Sequence, residues 1–167
     1  MKRLLYWITG FLPCRIIADD GIPYLERYYL FTACGVRFYI HRFVGSDPDR
    51  GLHCHPWRWA GSVILSGWYF EETRYGLQKV RWLNWLTGDS FHRVIMPPDS
   101  WDKFAPCWTL FFHRAAYTKP WGFLRPLEGE KVLMWWPFNY PKDGNGTPGD
   151  WWNQVPQGRF ERRRAPL

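Results

Sequence analysis

The sequence predicts an all-β domain, a small barrel or sandwich of short strands. Three observations carry that expectation. Aromatic residues make up 20% of the 167 positions, with 13 Trp and 12 Phe, and aromatic and β-branched side chains suit pleated surfaces. Fourteen Pro and 15 Gly punctuate the chain too often for long helices. Short alternating segments recur with turn signals between them, as sandwiches and barrels require. The length suits one domain, 1–167, with a core of its own. Its barrel is expected over about 24–123, an irregular aromatic-rich C-terminal arm over 124–158, and a basic tail over 159–167.

Taken in order, residues 4–12 read as one short helix or a strand packed on the barrel. Asp19-Asp-Gly21 is a turn. Tyr24–Phe31 is an aromatic strand, broken at Ala33-Cys-Gly35, and Val36–Val44 alternates as the next strand. The stretch 45–51 is a polar turn loop, with Pro48 presetting φ. His53–Trp57 enters a strand, Ser62–Ser66 is a buried one, and Gly67 ends or bends it. Trp68–Thr73 continues extended, Tyr75-Gly76 turns, and Gln78–Leu86 returns as its hairpin partner. A loop over Thr87–Ser90 leads to a strand over Phe91–Met96, a turn over Pro97–Ser100, and a strongly β segment over Cys107–His113.

Composition also limits the function classes. The net charge is +7, but it is concentrated at the ends. Arg159–Leu167 holds +3, Lys2 and Arg3 hold +2, and the remaining body carries only +2. The ends could meet phosphate or acidic lipid; a solvated, partly disordered terminus is the plainer expectation. Nucleic acid is therefore not the expected partner. No apolar run approaches the ~20 residues of a membrane helix, so no membrane partner is expected. Residues 1–14 mimic a signal peptide, but lack a small-x-small cleavage site. Four cysteines without a Cys-x-x-Cys pair argue against a zinc knuckle and fit reduced thiols in a cytoplasmic protein.

The chemistry centres on Gly51-Leu-His-Cys-His-Pro-Trp57. Alternate side chains of a strand share a face, so His53 and His55 project together and Cys54 points away. His92, in Asp89–Val94, offers a third imidazole. Glu71 and Tyr69 share a face on the strand after Gly67, and Glu71 is a candidate fourth ligand or base. Arg81 and Arg93 are candidates for an anionic substrate, with a cross-strand pair to Glu71 or Glu72 as the structural alternative. Trp57, Trp59, Tyr69 and Trp108 are candidate walls of a pocket. His41 and His113 read as structural.

The stretch Tyr39–Trp57, with Ser62–Glu72, resembles the cupins, and more closely a cupin-like group found in bacteria and their phages. That group carries a similar His-x-His-Pro-Trp core and later Trp-Thr-Leu and Trp-Gly-Phe segments, matched here by Trp108–Leu110 and Trp121–Phe123. The resemblance covers about 24–138 and implies a double-stranded β-helix, or jelly roll. In the cupin pattern a Glu and then a Gly follow His-x-His. His53, His55 and Gly67 fit, but the Glu slot falls on Ala60. Three-histidine ligation or a substitute carboxylate remains. The second cupin motif, Pro-x-Gly-x-x-His, is matched loosely at His92.

Imidazoles suit Fe, Mn, Ni or Zn, so the cofactor expected is a divalent transition metal of open identity. A metal-dependent cupin enzyme, oxygenase-like, acting on a small polar or anionic substrate is the first expectation. A non-catalytic cupin that holds or sequesters a nucleotide or sugar is the second, and a homodimer is compatible with either. A nucleic-acid binder using the basic ends is a weaker third.

Overall fold

The computed structural model of the chain describes residues 1–100, 103–127, 132–138 and 150–167. One helix, α1 (Lys2–Thr9), precedes β1 (Cys14–Asp19), β2 (Ile22–Ala33), β3 (Val36–Phe43), β4 (Leu52–His53), β5 (Trp59–Ser66) and β6 (Tyr69–Thr73). The chain continues through β7 (Gly76–Val80), β8 (Leu83–Thr87), β9 (His92–Ile95), β10 (Pro98–Ser100), β11 (Lys103–Phe104), β12 (Cys107–Arg114), β13 (Gly122–Pro126) and β14 (Leu133–Pro137). Two single-turn 3-10 helices follow, Trp151–Asn153 and Gly158–Phe160.

The strands form two six-stranded antiparallel sheets, ordered β1-β2-β3-β12-β5-β8 and β14-β13-β4-β9-β6-β7. From β3 to β9 the chain passes back and forth between the sheets, except at the β6–β7 hairpin, as in the expected jelly roll. β12 alternates buried and partly buried residues between β3 and β5, the pattern of a central strand with one face on the core. The β2–β3 hairpin closes on Cys34 and Gly35, both left-handed at φ 50° and 69°; such a turn matches the strands' own twist.

Three apolar clusters hold the layers. Leu25, Phe43, Tyr69, Val94 and Met96 fill one end between the sheets. Tyr39, Trp57, Ala60, Leu86 and Phe111 fill the other. Cys14, Ile16, Tyr28, Ile40 and Trp108 form a third, against which Leu5, Tyr6 and Leu12 of the N-terminal segment pack. The stretch that imitates a signal peptide is thus a docked helix.

Several expectations are corrected. Gln78–Leu86 is not one strand: it breaks at Arg81-Trp82 and supplies β7 to one sheet and β8 to the other. Pro98–Ser100 pairs with Lys103–Phe104 as a two-stranded ribbon. Strand geometry at His53–Trp57 ends at His53. The arm after 123 supplies β14 and most of β13, which extend the second sheet; its segment 139–149 lies outside the described residues.

The basic tail is docked on the body at Arg164–Pro166, although Arg159, Arg162 and Arg163 stay exposed. Glu26 and Arg42, both buried, form an ion pair at 3.3 Å. Glu26 also accepts a hydrogen bond from the Ala165 N–H at 2.7 Å. Arg42 donates to the carbonyls of Ala165 and Pro166. Arg164 lies 3.7 Å over the Tyr6 ring and donates to the Tyr28 hydroxyl and Thr9 Oγ1, each at 2.9 Å. A buried charge pair leaves lone pairs and protons that need partners, and here the tail backbone supplies them.

Candidate metal centre in the barrel cavity

A cavity of about 860 Å³ lies between the sheets, lined by His53, His55 and His92 among others. Gly51 sets the approach to it. With φ at +92° it takes a conformation that favours glycine, and a Cβ there would collide with the Leu124 carbonyl of β13. His53 pairs directly across the ladder with His92, so their rings share a face, with centroids 4.6 Å apart. His55 lies beyond the end of β4, yet its Nε2 stands 2.9 Å from His92 Nε2. One ring nitrogen from each of the three lies within 4.8 Å of the others. Cys54 is buried and does not line the cavity.

The histidines are poised as neutral donors. Burial, followed by the His92 and Arg50 charges, pushes His53 well below the ordinary imidazole value. Burial, with His53 and His92 next, does the same to His55. Neutral imidazole is the metal-binding form. Glu71 fixes His92 from behind: Nδ1 lies 2.7 Å from Glu71 Oε1, on the opposite side of the ring from His55. An Nδ1–H donated to that carboxylate leaves the Nε2 lone pair for the cluster. Asn84 and Gln78 donate to the same carboxylate at 2.6 Å each. Burial alone would raise the Glu71 pKa; the hydrogen bond and charge of His92, with the two amides, outweigh it and hold the carboxyl below its usual value.

One pair of the three nitrogens already stands at ligand spacing. Two nitrogens each about 2.05 Å from one ion are about 2.9 Å apart at a right angle, the separation of His55 and His92, and His53 completes a set that lies within 4.8 Å. A three-histidine set leaves coordination positions open, as catalysis by a metal requires. Asp47 brings a carboxylate close: its Oδ2 accepts from the Val94 N–H at 2.8 Å and lies 3.8 Å from His53 Nδ1. Burial raises its pKa despite that hydrogen bond and the nearby His92, Arg50 and Arg93 charges.

Solved structures share this architecture. A cupin-2 domain from Rhodospirillum rubrum superposes with a TM-score of 0.51 at 18% identity, over 65% of this chain and 72% of its own. A cupin 2 conserved barrel protein from Rhodopseudomonas palustris gives 0.52 at 11%, over 68% and 78%. The chain has a cupin fold. The polyketide cyclase RemF from Streptomyces resistomycificus shares it, at 0.51 and 14% over 65% and 77%. No family model and no curated protein matches the sequence.

Within this cupin fold the residues singled out from sequence separate into two groups. His53, His55, His92, Trp57 and Tyr69 all line the cavity. The other five do not. Glu71 sits behind His92 rather than in the cluster. Arg93 is turned away and pairs with Glu72 and Asp49, the cross-strand alternative. Arg81 is exposed at the break between β7 and β8. Trp59 stacks on Trp85, centroids 5.2 Å apart, outside the cavity lining. Trp108 is fully buried in the cluster under α1, with the Arg42 guanidinium 5.2 Å from its ring. Ala60, the slot of the absent Glu, is packed with Trp57, Leu86 and Phe111.

Sequence reasoning missed Asp47 and the arginines of the cavity lining, among them Arg27, Arg37 and Arg50. Strand parity carried a signal for two of them. Positions 37, 39, 41 and 43 share one face of β3, and Arg27 pairs with His41 across the ladder and donates to its Nε2 at 3.1 Å. His41 and His113 also line the cavity, stacked on Phe111 and Trp57 respectively.

Proposed function

We propose that this chain is a metal-dependent cupin enzyme, oxygenase-like, acting on a small polar or anionic substrate in the barrel cavity. The observation that carries the reading is the convergence of His53, His55 and His92 on one point of the cavity wall, with His92 oriented by buried Glu71. When bound, the ion would act as a Lewis acid, a template or a dioxygen-binding centre. The protein's own part is orientation and exclusion of water. Glu71, Asn84 and Gln78 hold His92 in one tautomer. Trp57 lies over His55 with centroids 5.0 Å apart and covers one side of the cluster. Tyr69 is held by Asn84, whose amide donates to its hydroxyl at 3.2 Å.

An anionic substrate is supported by the guanidinium groups on the lining. The Nε atoms of Arg37 and Arg50, and the Trp57 Nε1, are buried donors with no partner, and a buried unpaired donor favours a ligand that accepts from it. The second reading, a cupin that binds without turnover, is supported by Ala60 in the acidic slot and by the aromatic lining of Tyr39, Trp57, Phe111 and Phe123.

Elemental analysis of the purified protein, with a His53→Ala/His55→Ala control, is the test. Close to one transition metal per chain, lost in the variant, supports the enzyme. Metal-free protein that cannot be loaded with Fe, Mn, Ni or Zn overturns it and leaves the binding protein.

A further inference from the structure

The helix α1 turns its apolar stripe outward. Leu5, Tyr6 and Thr9 face the body. Leu4, Trp7, Ile8 and Phe11 recur at the spacing of one helical face, and that face is open to solvent, with Trp7 64% exposed. The tail extends the patch. Phe160, 65% exposed, lies beside it. The Arg159 guanidinium bridges the two, 4.9 Å from the Phe11 ring and 4.7 Å from the Phe160 ring. Arg3 on the same helix and Arg162, two residues after Phe160, are exposed. No acidic residue occurs in 1–18, and Glu161, the one acid of the tail, accepts from the Arg163 N–H at 3.0 Å.

We propose that this face docks the protein peripherally on an anionic lipid surface. A short helix with exposed Trp and Leu beside Lys and Arg is the chemistry of an interfacial anchor: the rings enter the headgroup boundary while the cations meet lipid phosphate. No spanning segment is involved, and no helix among the described residues is long and apolar enough to cross a membrane. A second copy fits the patch less well. A two-fold contact sets the same surface against itself, which would bring Arg3 and Arg159 against their own like charges. The proposal does not depend on the metal chemistry.

The test is flotation of the full-length protein with vesicles of phosphatidylcholine, with and without phosphatidylserine. The protein is expected to float with the serine lipid and to be released by salt. Trp7→Glu should abolish partition, and each of Arg3→Gln and Arg159→Gln should lower it about fivefold. Because Trp7 and both arginines are exposed, far-ultraviolet circular dichroism should be unchanged; the salt series on unaltered protein stands if a variant misfolds. No flotation with anionic vesicles overturns the proposal. So does equal flotation with neutral vesicles. A concentration-dependent dimer that Trp7→Glu dissociates, without vesicle binding, overturns it in favour of a second copy.

Discussion

Replacing Glu71 separates an orienting carboxylate from a ligand. In Glu71→Gln the amide oxygen can occupy the Oε1 position and still accept from His92 and Asn84, while Gln78 turns its own oxygen toward the new NH2. The three present bonds, at 2.6 to 2.7 Å, survive in number but lose their charge. Charge-assisted bonds are roughly twice as strong as neutral ones, so His92 is held less firmly and its Nε2 becomes a poorer donor. Loss of such an outer partner weakens metal binding by about 10- to 100-fold. Glu71→Ala goes further. It leaves the Asn84 and Gln78 amides and the His92 N–H without their acceptor, at about 1–3 kcal/mol for each one that finds no substitute. Competition with a coloured chelator measures the affinity, and urea unfolding measures the stability. The expected order is unaltered protein, then Glu71→Gln with weakened binding and near-normal stability, then Glu71→Ala with both reduced. Folded Glu71→Gln that binds metal as tightly as the parent would refute the orienting role. Complete loss of binding in that variant would mean that Glu71 is itself a ligand.

Burial pushes His113 down to about 3 from 6.5, so between these values the unfolded chain holds a proton that the folded chain does not. The contribution of His113 to stability should be constant above pH 6.5 and fall by about 1.4 kcal/mol per pH unit below it. His41, His53 and His55, all pushed well down, chiefly by burial, steepen the loss in metal-free protein; urea midpoints that do not change down to pH 5 would contradict all four. Arg42→Met leaves Glu26 buried without its cation and the tail carbonyls without their donor. It should cost about 3–5 kcal/mol, read by urea unfolding, and release residues 159–167 to carboxypeptidase; a shift under about 1 kcal/mol would show that the tail latch carries little. Trp108→Ala should cost about 3–5 kcal/mol through its cavity without changing metal affinity, because Trp108 lies outside the lining. Altered affinity in folded protein would place it in the site after all.

Much of the fold was legible because its strands announce themselves locally. Tyr24–Phe31, Val36–Val44 and Cys107–His113 combine β-forming side chains with turn residues at their ends, and each lies within or nearly coincides with an observed strand. The break at Arg81-Trp82 was not legible. Gln78–Leu86 carries no Gly or Pro, so nothing local marks the point where the chain crosses from one sheet to the other. His53 and His55 were found by spacing, although the extended geometry assumed for both ends at His53. The arginines were misjudged for a different reason. Aromatic side chains cover both faces of these strands, so the parity that groups Arg37 with His41 does not say which face looks inward. Arg81 and Arg93 stood out for the match of a guanidinium fork to an anion, while Arg27, Arg37 and Arg50 line the cavity. The tail misled because four arginines in nine residues resemble a solvated end; only the buried Glu26–Arg42 pair, distant in sequence, explains why the chain returns.

The most direct measurement of the central claim is an anomalous difference map from crystals loaded with one transition metal and collected at its absorption edge. The account expects one dominant peak per chain, within bonding distance of ring nitrogens of His53, His55 and His92, with Glu71 still on His92 Nδ1. A peak held by other residues, or no peak after loading, would contradict it.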